Sequence, residues 1–290
     1  MAEENQTRSP LLTIFVILLL IGALVGGIYY APQLVPKPKI GVVRLDYDIL
    51  STTAVEITEQ LRYARNHEDI QAVVLLINSP GGSAVYSEEL YLDVLHTRQQ
   101  MPVVASVDLL AASGAYYMAV AADEIYAKPN SYIGSVGVIA VLPGAVFLDG
   151  EVITTGPYKL FGGTQDGVIR QVEMAKDTFL EAIRVGRGDR LLIPLAELSK
   201  AEIYSGAQAE RYGMIDGVLS TDEAIQRAAA LAGFRSYDVV ELYPLAFGNE
   251  NTDPAAYSAP ALDPAKLWAN PADMPPGLYF RHVETAVPSR

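Results

Sequence analysis

The sequence predicts an α/β domain built on a parallel sheet and preceded by one apolar helix. Three observations predict it. Apolar runs at residues 40–45, 72–77 and 103–107 alternate with segments of helical spacing. The connections between them are short, as in repeated strand–helix units with right-handed crossovers. Residues 72–77 form an unbroken apolar run, the pattern of a strand covered on both faces of a parallel sheet.

Composition sets the outer limits. The 290 residues fit one or two domains, and a hydrophobic content of 50% suffices for a sizeable core. A net charge of −13 argues against nucleic acid or anionic lipid surfaces as partners, because phosphate binding needs clustered Lys and Arg. No cysteine is present, which removes disulfides, thiolate zinc sites and a thiol nucleophile. His67, His96 and His282 lie neither at metal-ligand spacing nor beside a Gly/Ser signal in the sequence, so no metal site is expected.

The elements are justified in order. After an N-terminal tail (1–10), residues 11–30 carry no charge and would extend about 30 Å as a helix, matching the hydrocarbon core of a bilayer. Tyr29 and Tyr30 fall where an interfacial aromatic belt would lie. A cleaved leader is disfavoured by the length of the run and by the lack of a small-residue cleavage site. A retained single-pass anchor is therefore expected. Basic residues flank both ends (Arg8; Lys37, Lys39, Arg44), so charge does not orient it. Residues 31–39 are proline-rich and read as a stiff spacer.

A soluble domain is expected over 40–245. Ile57, Leu61 and Ala64 mark a helix after the first strand, and Tyr86, Leu90 and Val94 mark one after the second. Residues 168–187 form a long helix with Val172, Ala175 and Phe179 on one face. Arg170, Arg184, Arg187 and Arg190 fit, for the most part, a solvated face able to pair with carboxylates. Shorter helices are expected at 195–201, 207–212 and 222–232, and a last strand at 237–243. Residues 246–290, rich in Pro, Ala, Asn and Asp, read as an extended or disordered tail; a segment around Trp268 is a candidate for docking on a neighbouring subunit.

Two turns stand out at carboxyl ends of strands, where ligands of such sheets bind. Asn78-Ser79-Pro80-Gly81-Gly82 ends the second strand. It has the makings of an oxyanion hole or of an ordinary turn; the Lys-Ser/Thr of a phosphate loop is missing. In Ala111-Ala112-Ser113-Gly114-Ala115-Tyr116-Tyr117 a serine sits between small residues where a strand gives way to a helix. Taken alone, Ser113 reads as a helix cap or as a nucleophile.

Together these turns resemble the signal peptide peptidase A family. The likeness extends through Asp123-Glu124-Ile125-Tyr126-Ala127, Gly134-Ser135-Val136-Gly137-Val138, Thr155-Gly156-Pro157-Tyr158-Lys159, Ser205-Gly206-Ala207-Gln208-Ala209 and Tyr212-Gly213-Met214-Ile215-Asp216, over residues 40–235. The resemblance implies a Clp-protease/crotonase-like fold and a Ser–Lys dyad, with Ser113 as nucleophile and Lys159 as general base. A lysine can serve only when neutral, so its pKa must fall well below about 10 through desolvation, for which Tyr158, Leu160 and Phe161 could form an apolar wall. The oxyanion donors would be the N–H groups of Gly114 and Gly82, with Gly81 a rival for the second place. Gly81, Gly134, Val136 and Gly137 would line a cleft for extended peptides bound by strand addition. Ala115 stands where many relatives have a second glycine, and the proline associated with the family after Lys159 is missing.

The resemblance further implies a membrane-anchored, ATP-independent serine endopeptidase without cofactor or metal. It would act outside the cytoplasm on signal-peptide remnants and other hydrophobic peptides, as a ring-like homo-oligomer. Two other classes compete: a crotonase-like acyl-CoA enzyme, which would need neither Ser113 nor Lys159, and a non-catalytic membrane scaffold.

Overall fold

The computed structural model describes residues 10–34, 36–142, 153–159, 162–248, 259–267 and 277–282. The chain divides into two compact units, 1–38 and 39–290. In the first, α1 (Pro10–Leu34) is one continuous helix without a charged residue, and its large side chains are exposed. Its 25 residues give a length of about 38 Å. The longest stretch of it with continuously described side chains is 14–27. Among the described residues, no helix is long and apolar enough to cross a membrane. The anchor expected over 11–30 therefore rests on the sequence.

The second unit runs β1 (Lys39–Asp46), α2 (Ser51–Asn66), β2 (Ile70–Ser79), β3 (Gly81–Ser83), α3 (Ala84–Arg98), β4 (Val103–Ala112) and α4 (Gly114–Ala119). It continues with β5 (Glu124–Ala127), β6 (Tyr132–Gly134), β7 (Ile139–Val141), α5 (Gln165–Arg187), α6 (Leu195–Leu198), β8 (Ile203–Ser205) and α7 (Gly206–Arg211). It closes with β9 (Gly217–Val218), α8 (Thr221–Leu231), β10 (Asp238–Glu241), α9 (Leu242–Phe247) and β11 (Gly277–Arg281). The main sheet has the order β10-β1-β2-β4-β5-β9, every neighbour parallel; β6 adds in parallel to the far end of β4, and β8 pairs antiparallel with β6.

Both faces of this sheet are covered, which explains the unbroken apolar run of β2. Val73, Leu75 and Ile77 face the core shared with Ile57 and Leu61 of α2, Leu90 of α3 and Phe179 of α5. Ala72, Val74 and Leu76 face the other way, against Ala224, Ala228 and Ala229 of α8. Two helices start on reciprocal caps: Ser205 with Gln208 at α7, and Ser220 with Glu223 at α8. The strand expected at 237–243 stops at Glu241, and residues 242–247 turn helical instead. Pro244 explains the change, because it cannot donate to a ladder but is tolerated in the first turn of a helix.

Arg187 departs from a solvated face. It is 2% exposed and forks onto Asp216 at 2.7 and 3.0 Å, while Arg190 reaches the same carboxylate at 2.8 Å. Burial pushes the Asp216 carboxyl up. The hydrogen bonds and charge of Arg187, the Ile125 N–H and the charge of Arg190 outweigh burial, and hold it below the usual carboxylate range.

The segment expected as a tail holds a further element. β11 lies between β3 and β7, antiparallel to both, in a second, three-stranded sheet. Its Leu278 and Phe280 supply an apolar face that packs on the main core. Trp268 lies outside the described residues.

Candidate active site

The parallel pairing of β2 with β4 brings the two turns together. Register runs from Val73↔Val103 to Ile77↔Val107, then shifts so that Ser79 faces Ala111. Asn78 spans the irregularity: its side-chain oxygen accepts from the Leu109 N–H at 2.9 Å and its amide donates to Asp46 at 3.1 Å. The Pro-Gly-Gly turn is thereby set beside the end of β4, where Ser113 stands.

Ser113 has φ 52° and ψ −119°, a backbone conformation that residues with a side chain rarely adopt. A serine on a strained strand-to-helix turn is the geometry of a nucleophile elbow. Its neighbours hold it there. The Ser113 N–H donates to the Gly134 carbonyl at 2.7 Å and its carbonyl accepts from the Tyr117 N–H at 2.9 Å. Behind it, Tyr116 is buried and donates to the Met214 carbonyl at 2.8 Å, and burial drives its phenol well above the ordinary range. The side chain of Ser113 makes no capping bond to α4. Its hydroxyl lies 3.5 Å from the Gly137 carbonyl, at the outer limit of a hydrogen bond.

The glycines crowd around this elbow. A methyl group on Gly81 (φ 92°) would sit 2.6 Å from the Gly114 nitrogen, and one on Gly114 would sit 2.2 Å from Ser87 Oγ. The N–H of Gly81 donates to Ser79 Oγ at 3.1 Å. Along β3, the Gly81 carbonyl and the Ser83 N–H are both taken by Ile49, at 2.9 Å each. Gly82 consequently turns its own N–H to the opposite side, toward β11. That asymmetry distinguishes the two rival glycines: one donor is engaged within its turn, the other points at β11.

The remaining predicted residues are dispersed. Gly134 accepts from Ser113 and pairs with Ile203. Val136 is fully buried in the core. Gly137 lines a cavity of about 390 Å³ with Ser135, Ile139, Lys176, Arg281 and His282 among its walls. Lys159 is exposed, its backbone N–H 3.4 Å from the Gly156 carbonyl, and among the described residues no hydrogen bond joins it to Ser113. Leu160 and Phe161 lie outside the described residues.

Sequence reasoning missed three contributors. Ser79 selects between the glycines, and only its place beside Gly81 hinted at that. Phe280 and His282 arrive from the tail, where no periodic pattern marked a strand. His282 Nδ1 lies 3.2 Å from Ser135 Oγ, so one histidine does stand beside a Gly/Ser segment in space though not in sequence.

A parallel-sheet α/β domain with a serine on a strained strand-to-helix turn is a geometry that serine peptidases use. Comparison with known families agrees: the Clp protease profile matches residues 39–133, and that of Peptidase family S49 matches 96–235. These two matches, with the relatives that follow, support a place in the signal peptide peptidase A family. It is 30% identical over 224 residues to Protease 4 of Haemophilus influenzae, covering 70% of this chain and 36% of that one. Serine protease SPPA, chloroplastic, of Arabidopsis thaliana is 28% identical over 186 residues, 59% of this chain and 28% of that one. A Methanocaldococcus jannaschii protein is 31% identical over 187 residues, 60% of each. The chain thus spans between about a quarter and six-tenths of the length of these relatives.

Proposed function

We propose that the protein is a membrane-anchored, ATP-independent serine endopeptidase in which Ser113 attacks the peptide carbonyl and Lys159 is the general base. The observation that carries the reading is the backbone at Ser113: a strained turn needs a reason, and presenting a hydroxyl at the mouth of a sheet supplies one. In this mechanism Ser113 Oγ bonds to the carbonyl carbon while its proton passes to neutral Lys159. The oxyanion is held by the N–H groups of Gly82 and Gly114, each contributing roughly 10²–10³ in rate. Collapse breaks the C–N bond, and the amine leaves with the lysine's proton. Water, deprotonated by the same lysine, then releases the acyl group and restores the hydroxyl.

Lys159 stands exposed in the isolated chain, so the dyad requires its segment to fold over Ser113, through substrate binding or assembly into a ring of subunits. The uncharged run at 11–30 would hold the domain at a bilayer, outside the cytoplasm, where hydrophobic peptides such as signal-peptide remnants are released. The test is direct. Full-length wild type in detergent should be acylated at Ser113 by a serine-directed probe and should cleave a short hydrophobic peptide. Lys159→Ala should lose both. Unchanged activity in Lys159→Ala would remove the lysine from the mechanism.

A further inference from the structure

β11 is placed where a substrate strand would have to lie. Among the described residues β3 and β7 are joined to one another only through it, so the sheet order β3-β11-β7 describes a slot one strand wide that the chain fills with its own residues 277–281. The filling is in register with the site. His282 donates to the Pro80 carbonyl at 2.7 Å, and Phe280 pairs with Gly82. Hydrogen-bonded pairs recur at every second residue of an antiparallel ladder, so the Phe280 carbonyl falls to the Gly82 N–H. The same carbonyl oxygen lies against the other glycines. It would be 2.0 Å from a methyl group on Gly81 and 2.9 Å from one on Gly114. Of the carbonyls in β11, Phe280's is the one set between both candidate oxyanion donors.

The side chain of Phe280 is fully buried in an aromatic pocket beside the elbow. Its ring centroid lies 5.4 Å from that of Tyr117 and 5.1 Å from that of Phe179, and Tyr117 stacks on Tyr91 at 4.8 Å. Tyr117 belongs to the helix that begins at Gly114, so pocket and elbow are one construction. Beyond Phe280 the chain is tied down on the other side of the carbonyl: Arg281 reaches Asp48 at 2.6 Å and His282 reaches Ser135 at 3.2 Å.

We infer that the protein binds its own strand 277–282 as it binds substrate, with Phe280 as the residue on the acyl side of the bond presented to Ser113. The tail is an internal competitor, and the site selects peptides with a large aromatic residue at that position. The inference rests on the serine-peptidase reading for its chemistry, but its binding claim can be tested apart from it.

The experiment uses full-length wild type, Phe280→Glu and Arg281→Glu in detergent, with a fluorescent hexapeptide Gly-Leu-Tyr-Phe-Arg-His matching residues 277–282. Phe280→Glu places a charge in the aromatic pocket; Arg281→Glu sets like charges against Asp48 outside it, and serves if the first variant does not fold. Fluorescence anisotropy should show the peptide binding either folded variant at least tenfold more tightly than wild type. A peptide with alanine for phenylalanine should bind the variants at least tenfold more weakly. Labelling of Ser113 by an acylating probe should be faster in the variants. Equal binding to variants and wild type, or none to any, overturns the inference. Absence of labelling in all three chains, with the binding difference present, removes the serine chemistry and leaves the strand slot standing.

Discussion

The two members of the proposed dyad live in different surroundings. Ser113 is 1% exposed, fixed by backbone hydrogen bonds to β6 and within α4, and backed by buried Tyr116. Lys159 is exposed, and among the described residues the backbone hydrogen bonds of 153–159 are local. The proposed nucleophile is part of the core, whereas the proposed base stands outside it. The contrast teaches that a fold can store the geometry of a nucleophile without storing its activation; on the proposed mechanism, activity would wait on an event that moves the lysine segment.

That contrast can be broken at several points. The largest effect is expected from Ser113→Ala, which should lower peptide cleavage by about 10⁵-fold or more with substrate binding retained. A residual rate within tenfold of wild type would remove Ser113 as nucleophile. Lys159→Ala should lower cleavage by about 10³-fold or more yet leave stability within about 0.5 kcal/mol, since an exposed side chain supports nothing in the core. A large drop in denaturation midpoint would show that the segment is structural after all.

Asp216→Asn probes the scaffold behind the serine. Stripping the buried Arg187 of its carboxylate should cost about 3–5 kcal/mol in urea unfolding. Because Asp216 is held below its unfolded pKa of about 3.9, its contribution is present above that pH and is lost as pH falls through the lower, folded value. The variant should therefore show a shallower acid limb than wild type, and an identical acid limb would contradict the assignment. The smallest effect is the most diagnostic. Ser113→Gly should raise stability by about 1 kcal/mol while abolishing cleavage, because glycine relieves the strain at φ 52°. Loss of stability instead would mean that the turn is not strained.

What was legible in the sequence follows from how local its cause is. The strands at 72–77 and 103–107 and the helix over 168–187 could be read because apolar periodicity reports burial directly. The serine turn could be located from its small neighbours at a strand end, but its reading as a nucleophile rather than a helix cap came from the family resemblance. The choice between Gly81 and Gly82 could not, since it depends on a hydroxyl two residues away and on Ile49 occupying one side of β3. β11 was hidden for a different reason. Its partners, residues 81–83 and 139–141, are remote in the chain, and a five-residue strand just after a proline-rich stretch has too short a period to announce itself. Arg187 looked like one of a row of surface cations, because only the tertiary fold brings Asp216 to it.

α5 has a mechanical consequence. Its fully buried residues, Phe179, Ala182, Ile183 and Arg187, all lie in its latter half, and Arg187 is riveted to Asp216. Its opening turns hold no fully buried residue; Val168 and Val172 are half-buried there. The helix is therefore held most firmly at its far end. A load placed on its lightly held end, by another subunit or by a lipid surface, would shift those first turns well before it disturbed the seat of the serine.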